Sequence, residues 1–292
     1  MKVLSIVVLC LALSAGLSPA RAIDLVIYPA PEQTDDVRFR DLIEILGESL
    51  EKTRADYGPY RLMPADAVMT EQRQLTSLEH RTGDLTVVWS STSEEKERIL
   101  RPIRIPLRKG MLGLRIALIR SDSQSRVDAI RSIEDLRGLH VGQGIGWGDI
   151  QIYQANGIPV QEAPYPSLFQ MTERGRFDLF PRGINEIFDE YEANRTALPD
   201  LAIERGLLIA YDWPYYFFLN RADERLAKRI ETGLWLMIED GSFDRIFWKH
   251  HAAAIRKANL KARRVIRLNN PFLPAATPRS DRRLWLDIDH LP

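Results

Sequence analysis

The chain has 292 residues, 45% of them hydrophobic and 27% charged, which excludes an intrinsically disordered segment and a multi-span membrane protein. Lys+Arg and Asp+Glu stand at 40 each, so a strongly basic nucleic-acid binder is excluded too, and the length allows one large domain or two smaller ones. The one cysteine, Cys10, falls in the N-terminal apolar run, so the rest of the chain has no disulfide, thiolate nucleophile or Cys-ligated zinc.

Lys2 precedes the apolar run VLSIVVLCLALSAGL, and Ala20-Arg21-Ala22 has the small-x-small form of a secretory cleavage site. The run is shorter than the roughly 20 residues that a spanning helix needs. Residues 1–22 are therefore expected to be a removed signal peptide, with a retained anchor as the alternative. Val7, Val8 and Leu9 lack the small pair that a lipid-anchor site before Cys10 would need. Removal leaves 38 basic against 40 acidic residues, a net charge of −2. An exported, cysteine-free chain without a span points to the periplasm.

Ile23 to Tyr28, IDLVIY, is a short apolar strand that ends at Pro29. In DVRFRDLIEILGESLEKT the residues Val37, Leu42, Ile45, Leu46 and Leu50 recur near helical spacing, which predicts an amphipathic helix. YRLMPA is a second strand, and TEQRQLTSLEHR is a helix closed by Gly83. DLTVVW (Asp84–Trp89) is a β-rich strand leading into the polar turn Ser90-Ser91-Thr92-Ser93. This alternation is the pattern of a parallel α/β sheet.

GMLGLRIALIR (Gly110–Arg120) is an apolar strand, and a second alternating set follows it. SIEDLRGLHVGQG gives a short helix and a strand, with Ser132 as cap and Asp135 in the first turn. DIQIYQANG is a helix ended by Asn156-Gly157, and PVQEA is a short strand. SLFQMTERG is a helix with Ser167 as its cap and Gly175 just past its end. FDLF is a strand and INEIFDEYEAN a helix. LIAYDWPYYFFLN runs extended, and RLAKRIETGLWLMIEDGSFDRIFWKHH is a long helical region with a turn at Asp240-Gly241. VIRLNNPFLPAATP is broken by prolines and is expected to wrap the surface.

The fold class is therefore α/β, in two units. The long late helices return to the first unit, so the second sits inside it, joined by extended segments around 110–120 and 211–220. The expected division is 23–115 plus 215–292 as lobe 1, and 116–214 as lobe 2. Ligands in open α/β sheets bind beyond the carboxyl ends of strands, and two such sheets face to face make a hinged cleft.

Three loops would reach that cleft. In GQGIGWGD (Gly142–Asp149) glycines allow close backbone approach and the next helix offers free N–H donors, so Gln143, Gly144, Gly146 and Trp147 are candidate ligand contacts. The glycine spacing does not fit a dinucleotide loop, and no phosphate-binding lysine follows. The alternative is a loop that needs glycines only to turn tightly, with Trp147 packing. Trp89, Ser90, Ser91 and Thr92 suit a small polar ligand, or the serines cap the next helix. Tyr28 is either a pocket wall or a core aromatic, and Trp213 and Tyr215 are read as hinge packing. In GRFDLFPRGINE (Gly175–Glu186) the turn Pro181-Arg182-Gly183 follows a core strand. Arg182 either offers its fork of donors to an anionic group or pairs with Glu186 one turn on.

His250 and His251 are adjacent and point to different helix faces, while His80, His140 and His290 lack partners at ligand spacing. No metal site and no cofactor are expected. No triad phrase, H-E-x-x-H motif or nucleophile elbow occurs.

The ordered phrases GDLTVVWSSTSEEKERILRPIRIPLRKG, SIEDLRGLHVGQGIGWGD, GRFDLFPRG and LAKRIETGLWLMIEDGSFDRIF extend over nearly all of the chain after the signal. With them the chain resembles the type II periplasmic solute-binding proteins of the polar-amino-acid group. The resemblance implies a two-lobed clamshell that closes on a small polar solute. It also implies a membrane permease of ABC type or a sensor as partner, a monomer, and no nucleic acid. In that family an arginine after the strand matching DLTVVW grips the ligand's carboxylate; here Lys96 stands in its place, a point charge instead of a fork. Many members carry an aspartate just after the strand matching FDLF, where this chain has Arg182-Gly183 and no acid before Glu186. These departures tell against a standard α-amino-acid ligand, and the donor fork of Arg182 at that strand end points to an anionic solute. Alternatives on the same fold are a periplasmic enzyme of dehydratase or lyase type, with Glu186 or Asp149 as base, and a sensory or interaction module without a solute.

Overall fold

The computed structural model describes residues 23–31 and 38–291; the expected signal peptide lies outside them. Strand β1 (Asp24–Tyr28) is followed by helices α1 (Arg40–Lys52) and α2 (Arg54–Tyr57), and by strand β2 (Tyr60–Pro64), which pairs parallel to β1 over five residues. Leu42, Ile45, Leu46 and Leu50 lie on one stripe of α1 and are almost wholly buried, as their spacing predicts. Helix α3 (Glu71–His80) starts at Thr70, whose side chain accepts from the Arg73 N–H. Strand β3 (Val88–Ser91), helix α4 (Glu94–Ile99) and strand β4 (Leu100–Ile103) complete this stretch. The expected turn at Ser90-Ser91 is strand instead, because an antiparallel partner described below runs alongside it.

The middle segment holds strand β5 (Leu114–Arg120), helices α5 (Gln124–Asp128) and α6 (Ile133–Arg137), and strand β6 (Val141–Gly144). Helix α7 (Ile150–Ala155), strand β7 (Val160–Ala163), helix α8 (Tyr165–Glu173) and strand β8 (Phe180–Gly183) follow. Helix α9 (Ile187–Asn194) and strands β9 (Leu201–Ile203) and β10 (Leu207–Ala210) end it. Ser132 and Asp135 form the anticipated reciprocal cap of α6. Helix α8 begins at Tyr165, two residues before the anticipated Ser167 cap. Strand β8 includes Pro181-Arg182-Gly183, which the sequence assigns to a turn. β5 supplies partners along its whole length, pairing Ile116 with Arg182 and Arg115 with Gly183.

Strand β11 (Tyr215–Asn220) returns the chain between β3 and β4, antiparallel to both. Helices α10 (Glu224–Glu239) and α11 (Ser242–Ala258) follow, joined at Gly241 with φ +77°. Phe243 and Ile246 of α11 pack in the core of α1 and β11, whereas Phe247, Ile255 and Ala258 pack with β5, β8 and β10. Strand β12 (Arg264–Arg267) then pairs parallel to β10, giving the sheet order β12-β10-β5-β8 with β9 on β5. The tail thus departs from the anticipated surface wrap, since the free edge of β10 takes it into the sheet of the middle segment. Further on, Leu284 buries in the first core and Ile288 in the second. Among the described residues no helix is long and apolar enough to cross a membrane.

Candidate functional site

Helix α4 is capped by Ser93, whose hydroxyl accepts from the Lys96 N–H at 3.2 Å. The cap turns Lys96 back over the end of β3. Its ammonium donates to Ser90 Oγ at 2.6 Å, Glu71 Oε1 at 2.9 Å and the Ser91 carbonyl at 3.1 Å. Ser90 is fully buried and donates to the same Glu71 oxygen at 2.5 Å. Thr92 donates to Glu97 at 2.7 Å. Trp89 turns the other way: it is 4% exposed, and its ring lies 6.1 Å from Tyr28 and 5.5 Å from Phe39 in the core behind β3. Tyr28 packs against that same core, and burial raises the pKa of its hydroxyl.

In the 142–149 loop, a Cβ on Gly144 would sit 2.3 Å from the Trp147 ring, so the glycine lets the indole fold back over β6. Gly146 turns the loop with φ +76°. The Trp147 ring then stacks over the Arg182 guanidinium, 4.6 Å from its central carbon, with Tyr165 and Phe180 alongside.

Arg182 is 7% exposed. Its Nε and one terminal nitrogen each donate to Glu190 at 2.6 Å, and that terminal nitrogen also lies 2.9 Å from Glu186. Tyr165 donates to Glu190 at 2.8 Å. The structure therefore gives Arg182 the ion pair with Glu186, plus a stronger one with Glu190. A residue within a strand sends its side chain to one face of the sheet, and for Arg182 that face holds Trp147 and Phe180.

Arg115 links the loops. Its Nε donates to the Tyr211 hydroxyl at 2.8 Å, one terminal nitrogen lies 3.1 Å from Asp149, and the other 3.9 Å from Glu186. Tyr211 in turn donates to Asp149 at 2.8 Å. On the other side, buried Arg108 holds Asp41 through donations of 2.6 and 2.8 Å. Asp41 holds the buried Arg108 guanidinium up against the opposing effect of burial, and Glu186 adds only a minor effect there and on Tyr215. Tyr215 also feels Glu71, after the larger effect of its own burial, and its hydroxyl is pushed well up. Tyr215 pairs with Ser91 at the end of β3. Burial raises the Glu186 carboxyl, but Arg182 and then Arg115 outweigh it and hold it below its ordinary range.

The structure thus brings together Ser90 and Ser91 around Lys96, with Thr92 held by Glu97, and separately gathers Gly144, Trp147, Arg182 and Glu186 at the ends of β6 and β8. Trp89 is buried in the core behind β3, Tyr28 packs partly buried against that core, and the Gln143 side chain is fully buried. Sequence reasoning missed Glu71, Arg108, Arg115, Glu190 and Tyr211. A lone arginine inside the apolar stretch GLRIALI was the one local signal, at Arg115.

Among solved structures, the chain is similar to a probable amino-acid ABC transporter extracellular-binding protein from Bacillus subtilis, at 17% identity over 78% of this chain and 99% of that one, TM-score 0.55. The chain has the two-lobed type II periplasmic-binding-protein fold. Two further structures agree with it. An ancestral arginine-binding protein bound to arginine has 19% identity over 79% and 99% of the two chains, TM-score 0.50. A histidine kinase sensor domain with similarity to periplasmic binding proteins has 17% identity over 79% and 96%, TM-score 0.50. At these identities the likeness is one of fold. No protein-family model and no curated protein matches the chain.

Proposed function

We propose that the protein binds a small polar solute between its lobes and presents it to an ABC-type permease or to a sensor. What supports this reading is the two-lobed fold, with polar and charged side chains gathered at the end of β3 around Lys96 and at the end of β8 around Arg182 and Glu186. The similar structures are a transporter binding protein, an amino-acid-binding protein and a sensor domain, all in keeping with it.

Charge around these strand ends shifts the solute away from the anion anticipated from sequence. Lys96, Arg108, Arg115 and Arg182 face the five carboxylates of Glu71, Asp41, Asp149, Glu186 and Glu190, one more than the cations. Glu190 already matches Arg182 through two short donations, so the partly exposed Glu186 is the carboxylate offered to a cationic group of the solute. Nothing around Glu186 favours the enzymatic alternative. A carboxylate held below its ordinary range by two arginines is a weak base at neutral pH.

A thermal-shift screen of amino acids, amines and organic acids tests the reading, since a solute that binds only the native state raises the melting temperature. Cationic or zwitterionic solutes are expected to respond, and Glu186→Gln should weaken them about tenfold or more, the worth of about 1.4 kcal/mol. A screen in which only dicarboxylates respond would reject the cation site. Export with cleavage after Ala22 belongs to the same reading, and the processed protein should begin at Ile23 on N-terminal sequencing.

A further inference from the structure

Strand β6 has two faces. A Cβ on Gly142 would meet Phe177 at 2.4 Å and one on Gly144 would meet Trp147 at 2.3 Å, so Gln143 between them points to the opposite face. That face of lobe 2 carries Val141, Ala117, Tyr153 and Tyr211, and Arg115 shares it by alternation along β5. Gln143 is fully buried there, yet neither its amide nitrogen nor its amide oxygen has a hydrogen-bond partner among the described residues. Nor has the buried Oδ1 of Asn185, which lies 2.7 Å from where a Gly183 Cβ would be.

Sheet register puts these groups side by side. Val141 bridges Leu179, which sets Gln143 level with Pro181. Pro181 pairs with Ala117, and Gly183 pairs with Arg115 in the next row toward the end of β8. The unmatched groups thus flank the Arg115–Tyr211–Asp149 cluster, whose members already satisfy one another.

Buried polar groups are nearly always hydrogen-bonded, and an unmet pair on one side chain is costly. A glutamine amide offers a donor and an acceptor next to each other. Another carboxamide matches both in reverse order, whereas a carboxylate meets only the nitrogen and faces the oxygen with a second acceptor. We infer that lobe 2 holds a recessed subsite, bounded by Gln143, Tyr153, Asn185 and Arg115, that takes a carboxamide head group of the solute. This rests on the binding reading above, with Glu186 holding the cationic end at the mouth.

The experiment is calorimetric titration of L-glutamine and L-glutamate into the wild-type protein and Gln143→Leu, with melting temperatures of both. The wild type is expected to bind L-glutamine at least tenfold more tightly than L-glutamate. Gln143→Leu should lose that preference while melting no lower than the wild type, because it removes an amide without a partner. Equal affinities in the wild type overturn the subsite, as does Gln143→Leu binding L-glutamine unchanged, the behaviour of a merely hydrated core. A wild type that binds neither but responds to another solute in the screen overturns the subsite and leaves the binding reading in place; no response to any solute sinks both.

Discussion

Arg182 sits under an indole with two carboxylates around its guanidinium, and removing one side of such a buried group leaves the other side uncompensated. Arg182→Ala is therefore expected to cost about 3–5 kcal/mol of stability, seen as a lower midpoint in denaturant. An affinity that falls with no loss of stability would instead mark it as a ligand contact. Asp41 shows the same logic through pH. Burial raises its carboxyl, but donations from Arg108 and His251 hold it well below the usual carboxylate range. A depressed carboxyl contributes stability that is present above its unfolded value, about 4, and is lost as pH falls through the folded one. Burial lowers the pKa of His251, so its contribution is present above its unfolded value and lost as pH falls below about 6.5. Acid unfolding should begin in that range and steepen below about pH 4, and Asp41→Asn should flatten the lower part while lowering stability at neutral pH.

Between elements, the closest approach in lobe 1 is that of α1 and α10. A Cβ on Gly233 would sit 2.0 Å from the Ser49 carbonyl oxygen, so the helices can meet there only over a glycine. Gly233→Ala should force them apart at about 1–3 kcal/mol, measured by chemical denaturation, and an unchanged midpoint would mean the helices are free to shift. The elements themselves were largely legible, because α1, α10 and the strands around β1 and β5 carry strong apolar periodicity. Their ends were not. Ser90-Ser91 and Pro181-Arg182-Gly183 read as turns by composition, yet each is paired with a strand 64 or more residues away in sequence, β11 and β5 respectively. Long-range pairing of this kind has no local signature. The same limit explains the site: loop positions followed from strand ends, but Glu190 and Arg115 enter only once β5 and β8 lie side by side.

For the molecule as a whole, the expected pair of crossings between lobes is supplemented by α11 and by the tail. Helix α11 contributes Phe243 to one core and Ile255 to the other, and its His250 and Lys249 hold Glu44 of α1 at 2.7 Å each. The tail pairs β12 with β10, returns to place Leu284 in the first core, and ends its buried run with Ile288 in the second. A chain truncated after Asn259 should lose the edge strand together with Ile266, Leu268 and Leu284, and its unfolding should become less cooperative across the two lobes. A single transition equal to that of the full chain would show that the tail carries no coupling.

The double attachment of the tail has a kinetic consequence. In the proposed opening of the lobes, the tail acts as a further tether, with Leu284 seated in the first core and β12 paired to β10. On the proposed binding reading, that tether is expected to slow the release of an occupant. Weakening that anchor, as in Leu284→Ala, should speed dissociation in stopped-flow measurements far more than it changes capture.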